Sequence, residues 1–170
     1  DEAALPWGID GCSAPNYAMP LRSLARAFAR LAAPGDDPHF GAAPRTLADA
    51  MTAHPIMVAG ERRSDLALMD AGRGDWVAKV GAEGVQAIGV RSRGWGIALK
   101  VADGAVRGLH PATVAALDQI GLLDDAARAS LAQWARPEVK NYRGIVTGGI
   151  ESVVVLDKCL PREQVDAVDH

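Results

Sequence analysis

Three residues within four positions near the start of the chain carry groups that can do chemistry. They are Asp10, Cys12 and Ser13, in the run Gly8-Ile9-Asp10-Gly11-Cys12-Ser13-Ala14-Pro15-Asn16-Tyr17-Ala18-Met19-Pro20. A thiolate at Cys12 can ligate a metal or act as a nucleophile, and Asp10 can bind the same metal or orient a neighbour. Gly11 lets the backbone come close to a ligand. The plainer alternative makes Cys12 a small buried hydrophobe and Asp10 the cap of a turn. The second group is Lys79, in Lys79-Val80-Gly81-Ala82-Glu83-Gly84 at the end of a strand pattern. On an exposed strand edge, Gly81 would let a substrate lie against the strand. The Lys79 ammonium could then reach a carboxylate or depress the pKa of a nearby group. The alternative is a solvated lysine before a turn.

Several chemistries are missing from the residue pattern. There is no Cys-x-x-Cys and no His-Glu-x-x-His, and the other cysteine, Cys159, is remote in sequence, so zinc at Cys12 needs distant partners. No Gly-x-Gly-x-x-Gly opens a helix, and no phosphate-binding Gly-x-x-x-x-Gly-Lys loop occurs. Neither Ser-x-x-Lys nor Gly-x-Ser-x-Gly is present. His39, in a loop, and His54 and His110, each before a proline, read as structural.

The elements that must position these groups follow from periodicity. Residues 7–12 read as an irregular or short-strand entry. Leu21, Leu24, Ala25, Phe28, Leu31 and Ala32 fall at helical spacing, with Arg22, Arg26 and Arg30 on another face, and Pro34-Gly35 closes the pattern. Thr46 is expected to cap a short helix carrying Leu47, Ala50 and Met51. Ser64 is expected to cap another, ending at Gly72 in the position after the helix. Residues 76–80, 85–90 and 95–101 are three apolar or alternating runs separated by glycine-containing turns, the pattern of an antiparallel meander. A helix from Pro111 to Ile120 and another from Asp124 to Trp134 should follow, then a β-branched strand over 150–156. The order predicts an α/β (α+β) fold, a two-layer sandwich on an antiparallel sheet.

Composition sets the outer limits. With 170 residues, 49% hydrophobic and 23% charged, the chain can bury a core without disulfides, as one domain or part of a larger one. Its 18 Lys+Arg against 21 Asp+Glu leave a net charge of -3, so there is no broad basic face for nucleic acid. No apolar run is long enough to cross a membrane. Two cysteines suit reduced thiols and a cytoplasmic setting. The first residue is Asp1 and no signal peptide is visible, so the start reads as cut.

Taken together, the 10–21 run, the Lys79 segment and His54-Pro55-Ile56-Met57-Val58-Ala59-Gly60 resemble the L-asparaginase II family of the serine-β-lactamase-like, zinc-binding kind. Gly96-Ile97-Ala98-Leu99-Lys100-Val101, Asp103-Gly104 and the segment 141–149 add to the likeness. The resemblance covers nearly the whole chain, and only the C-terminal half of the family's length. It implies hydrolysis of L-asparagine to L-aspartate and ammonia through a serine acyl-enzyme. The serine and its Ser-x-x-Lys lysine would lie in the N-terminal half. Cys12 matches a zinc-ligating cysteine whose co-ligands also come from that half, Asp10 matches a nearby carboxylate, and Lys79 matches a lysine approaching the serine pair. Its charge would depress the pKa of the base by like-charge repulsion or hold the substrate's α-carboxylate, with Gly81 beside it. The expected partners are the missing half and further copies of the chain. Two rivals stand beside this reading: a noncatalytic domain that binds a small carboxylate or assembles with a protein, and a thiol amidohydrolase using Cys12.

Overall fold

The computed structural model describes residues 5–35 and 39–157. Its centre is an antiparallel meander: β3 (Trp76–Gly81), β4 (Val85–Val90) and β5 (Trp95–Lys100), hydrogen-bonded in that order. Before it come a hairpin, β1 (Trp7–Ile9) with β2 (Pro15–Tyr17), and four helices: α1 (Leu21–Ala32), α2 (Ala43–Ala53), α3 (Pro55–Ala59) and α4 (Ser64–Gly72). After it come α5 (Val106–Gln119), α6 (Asp125–Ser130), α7 (Ala132–Ala135) and a second hairpin, β6 (Glu138–Lys140) with β7 (Val146–Gly149).

The α/β class expected from the sequence is the class observed, with helices on both faces of the sheet rather than one. Alternation along β3 divides its side chains between those faces. Trp76 and Ala78 join Ile88 and Val90 of β4 in a core closed by Leu68 and Met69 of α4, Val114 and Leu117 of α5, and Leu131. Val77 points the other way, into a smaller cluster with Ala32, Ala48 and Met51 from α1 and α2. Arg91 fastens α2 to the sheet through Asp49 and Thr52.

The glycines of the meander serve packing. Gly89 and Gly96 are direct cross-strand partners. A Cβ at Gly96 would stand 1.7 Å from the Ala25 carbonyl oxygen, and one at Gly89 would stand 2.4 Å from that of Phe28. Bare backbone there lets α1 lie directly on the sheet.

Several boundaries differ from the sequence expectation, each for a tertiary reason. Thr46 lies inside α2, its hydroxyl bonded back to the Ala42 carbonyl, because burial of Ala48 and Met51 carries the helix back to Ala43. Leu47, on that helix, is exposed. Ser64 is the buried first residue of α4, which Arg63 precedes. Gly72 ends that helix with Trp76 packed where its Cβ would be, and the left-handed residue is Arg73. α5 begins a full turn before Pro111, where the completely buried Leu109 draws 106–110 into helical form. The helix expected from Asp124 is split at Leu131, although Asp124 does cap it, accepting from the Ala127 N–H at 2.8 Å.

The largest departure is 150–156, which forms no strand. Part of its polar backbone is held instead by a side chain, since Gln119 donates to the Val154 carbonyl (2.8 Å) and accepts from the Leu156 N–H (2.9 Å). A β-branched run becomes a strand only where an open sheet edge is in reach. Here the run pairs with no strand, and Val153 and Val155 face solvent. Cys159 lies outside the described residues.

Candidate active site

Lys79 is on β3, and β3 is an edge of the sheet. An edge strand presents backbone groups that need partners from outside the ladder. At Val80 those partners are charged side chains: the Val80 N–H donates to Asp65 Oδ2 at 2.8 Å, and the Val80 carbonyl accepts from Lys79 Nζ at 2.8 Å. The two side chains form an ion pair of 3.6 Å, Lys79 half exposed and Asp65 only 1% exposed. Asp65 comes from the first turn of α4, where the helix dipole favours a carboxylate. Its other oxygen, Oδ1, accepts from Gln86 Nε2 at 3.1 Å. Gln86 stands opposite Val80 on β4 and is completely buried.

A cavity of about 200 Å³ opens beside this cluster, lined by Arg62, Arg63, Ser64, Val80, Val106, His110 and Trp134. His110 packs edge-on against Trp134, with ring centroids 4.9 Å apart. Burial holds its imidazole below the ordinary pKa, and the Arg63 guanidinium pushes the same way. The Asp65 carboxylate opposes both. His110 therefore belongs to this end of β3, although its place before a proline had suggested a purely structural role. Asp65 and Gln86 were missed altogether. A carboxylate two residues into a helix is a helix-start signal in any sequence, and nothing local ties it to a strand 15 residues later.

Gly81 closes β3 opposite Val85 in an exposed position. A Cβ there would approach the Val85 Cβ to 3.3 Å, so the glycine keeps the end of the edge strand low, beside Lys79.

Asp10 and Cys12 lie elsewhere, in the turn of the first hairpin. Asp10 Oδ1 accepts the N–H of Cys12 (2.8 Å) and of Ala14 (3.2 Å), while Ser13 takes a positive φ of 63°. The carboxylate thus shapes its own turn, as the plainer alternative has it, whereas Cys12 is a free, exposed thiol rather than a buried hydrophobe. Every residue from Leu5 to Arg22 is exposed. No hydrogen bond or ion pair joins Asp10 or Cys12 to Lys79 among the described residues. The same residues contain no group of three His, Cys, Asp or Glu placed to hold a metal. One thiol beside a carboxylate already engaged by backbone does not amount to a zinc site, which takes three or four protein ligands.

Residues 1–152 match the family model described as L-asparaginase II. The chain belongs to the L-asparaginase II family. No curated protein matches it. Membership makes asparagine amide hydrolysis the chemistry against which the site is to be read, and it covers both the Cys12 hairpin and the Lys79 edge. Among the described residues, no helix is long and apolar enough to cross a membrane.

Proposed function

We propose that the chain forms the lysine-bearing part of an L-asparagine amidohydrolase that works through a serine acyl-enzyme. The serine and its Ser-x-x-Lys partner would come from an upstream segment, the present chain being the C-terminal half of the site. The observation that carries this reading is a half-exposed ammonium held at the edge of β3 by Asp65 and the Val80 carbonyl, next to a glycine. An edge strand with helices packed on both faces supports the serine-β-lactamase-like comparison. In the reaction, the serine Oγ bonds to the side-chain amide carbon and the C–N bond breaks. A proton goes to the departing nitrogen to give ammonia, and water then cleaves the ester to L-aspartate and restores the serine. Lys79 would hold the substrate's α-carboxylate or, by its charge, favour the neutral form of the base lysine.

Exposed apolar residues on the two hairpins support a partner: Trp7, Ile9 and Tyr17 on the first, Tyr142, Ile145 and Val146 on the second. We assign these faces to the upstream segment, and without it the chain should associate with copies of itself. The exposed free thiol suits a reducing compartment, and we place the protein in the cytoplasm. Cys12 would ligate zinc only together with donors outside the described residues, so the 170-residue chain alone should bind zinc weakly. Tight stoichiometric zinc in a calorimetric titration of that chain would show a different ligand set.

The deciding experiment measures ammonia release from L-asparagine by the chain with and without the upstream segment. Activity should need both, and Lys79→Met should lower kcat/KM by roughly 10²–10⁴-fold without loss of fold. Full activity in that variant would return Lys79 to the role of a surface lysine neutralising Asp65. Saturable activity of the chain alone, abolished by Cys12→Ala, would favour a thiol mechanism. A folded pair of segments that binds aspartate but releases no ammonia would favour the noncatalytic carboxylate-binding domain, a reading supported by the lack of Ser-x-x-Lys within the chain.

A further inference from the structure

We infer that Asp65 is a positioning residue for Lys79, and that Gln86 holds Asp65 in place; this rests on the amidohydrolase reading above. A lysine on an edge strand has four flexible side-chain bonds and would otherwise sweep a wide volume of solvent. Here one of its three N–H donors is engaged by the Val80 carbonyl at 2.8 Å, and the Asp65 carboxylate stands 3.6 Å from the nitrogen. The remaining donors are left for a substrate carboxylate or the reacting serine, from one fixed place.

The choice of a charged group at position 65 needs an explanation beyond the edge of the sheet. An asparagine would satisfy the Val80 N–H equally well, and burying a carboxylate to 1% exposure is unfavourable unless a cation answers it. Lys79 is the cation in ion-pair contact with it. Gln86 points to the same conclusion. It is a fully buried amide on the strand face that also carries Ile88, and its Oε1 has no partner among the described residues. A buried oxygen left unpaired is a standing penalty. What the amide gains is the orientation of Asp65, through Nε2 at 3.1 Å, with a longer contact from the same nitrogen to the Ala87 carbonyl at 3.3 Å.

Asp65→Asn is a clean test, because Gln86 can turn its amide and offer the unpaired Oε1 to the new NH₂ group. Two readouts separate positioning from stability. On the 170-residue chain, acylation of Lys79 by an amine-selective reagent, followed by peptide mass spectrometry, should run several-fold faster in the variant, because the side chain is no longer held against the strand edge by Asp65. The melting temperature should stay within about 2–4 °C. In the chain with its upstream segment, kcat for asparagine should fall on the order of 10²-fold, with a smaller change in KM. Unchanged labelling and unchanged kcat in a folded variant would overturn the inference and leave Asp65 as a cap for the strand edge. Should Asp65→Asn unfold the chain, Gln86→Met, which keeps the carboxylate and fills the same volume, carries the test. A roughly tenfold lower kcat supports the inference, and wild-type kcat overturns it. If instead Lys79→Met leaves activity intact, the amidohydrolase role of Lys79 fails, while the labelling comparison still decides whether Asp65 controls the lysine.

Discussion

The Cys12 hairpin and the Lys79 edge are the two regions singled out by residue chemistry, and they are built in opposite ways. In the hairpin, the polar contacts of Asp10 span two and four residues, every side chain is exposed, and the turn is complete within itself. At the Lys79 edge, the hydrogen bonds of Asp65 span 15 and 21 residues and join α4, β3 and β4 around a buried carboxylate. The first arrangement displays a thiol to whatever docks there. The second fixes a charge in a position the rest of the core enforces. Display tolerates loose packing, while fixing a charge does not, because a lysine is placed only as well as the groups that hold it.

Stability measurements should separate the regions most widely. Ile88→Ala removes a completely buried side chain behind the Lys79 edge and should destabilise by about 2–5 kcal/mol in denaturant titration. Ile9→Ala, in the exposed hairpin, should stay within about 0.5 kcal/mol. Equal losses would mean that the hairpin is part of the folding unit, and the contrast would fall. A smaller effect is expected from Asp10→Ala, which removes two exposed backbone contacts at a loss of about 1 kcal/mol. That loss should be local: hydrogen exchange at the Cys12 amide should speed up while the amides of β4 keep their protection.

The smallest effect concerns pH. Burial lowers the pKa of His110 in the folded chain below that in the unfolded chain, near 6.5, so folding favours the neutral ring. The contribution is fully present above that unfolded value. It declines as pH falls from there toward the lowered folded value, because in that window the unfolded state binds more protons. His110→Gln should flatten the stability profile over that acidic window and leave it unchanged above pH 7 or so. An identical slope in the variant would assign the acid sensitivity to other groups.

How much was legible in advance tracks how local each feature is. The three strands of the meander were readable almost to the residue, since alternation and glycine-containing turns are written into neighbouring positions. The apolar stripe of α1 was readable for the same reason, and so were the motifs of the family to which the chain belongs. Position 10 as a turn former and position 79 as the end of a strand were equally local facts.

Tertiary packing decided the rest. Only when α1 lies on the sheet do Gly89 and Gly96 become its seat, and only burial of Leu109 extends α5 past a proline that should have begun it. The run 150–156 has the composition of a central strand, yet a strand is defined by its partner, and the Gln119 side chain takes that place. Asp65, Gln86 and Lys79 form one cluster because α4 is packed against the outer edge of β3. Local preference is set by each residue and its near neighbours, whereas a buried carboxylate such as Asp65 persists only where the fold brings a cation and hydrogen-bond donors to it.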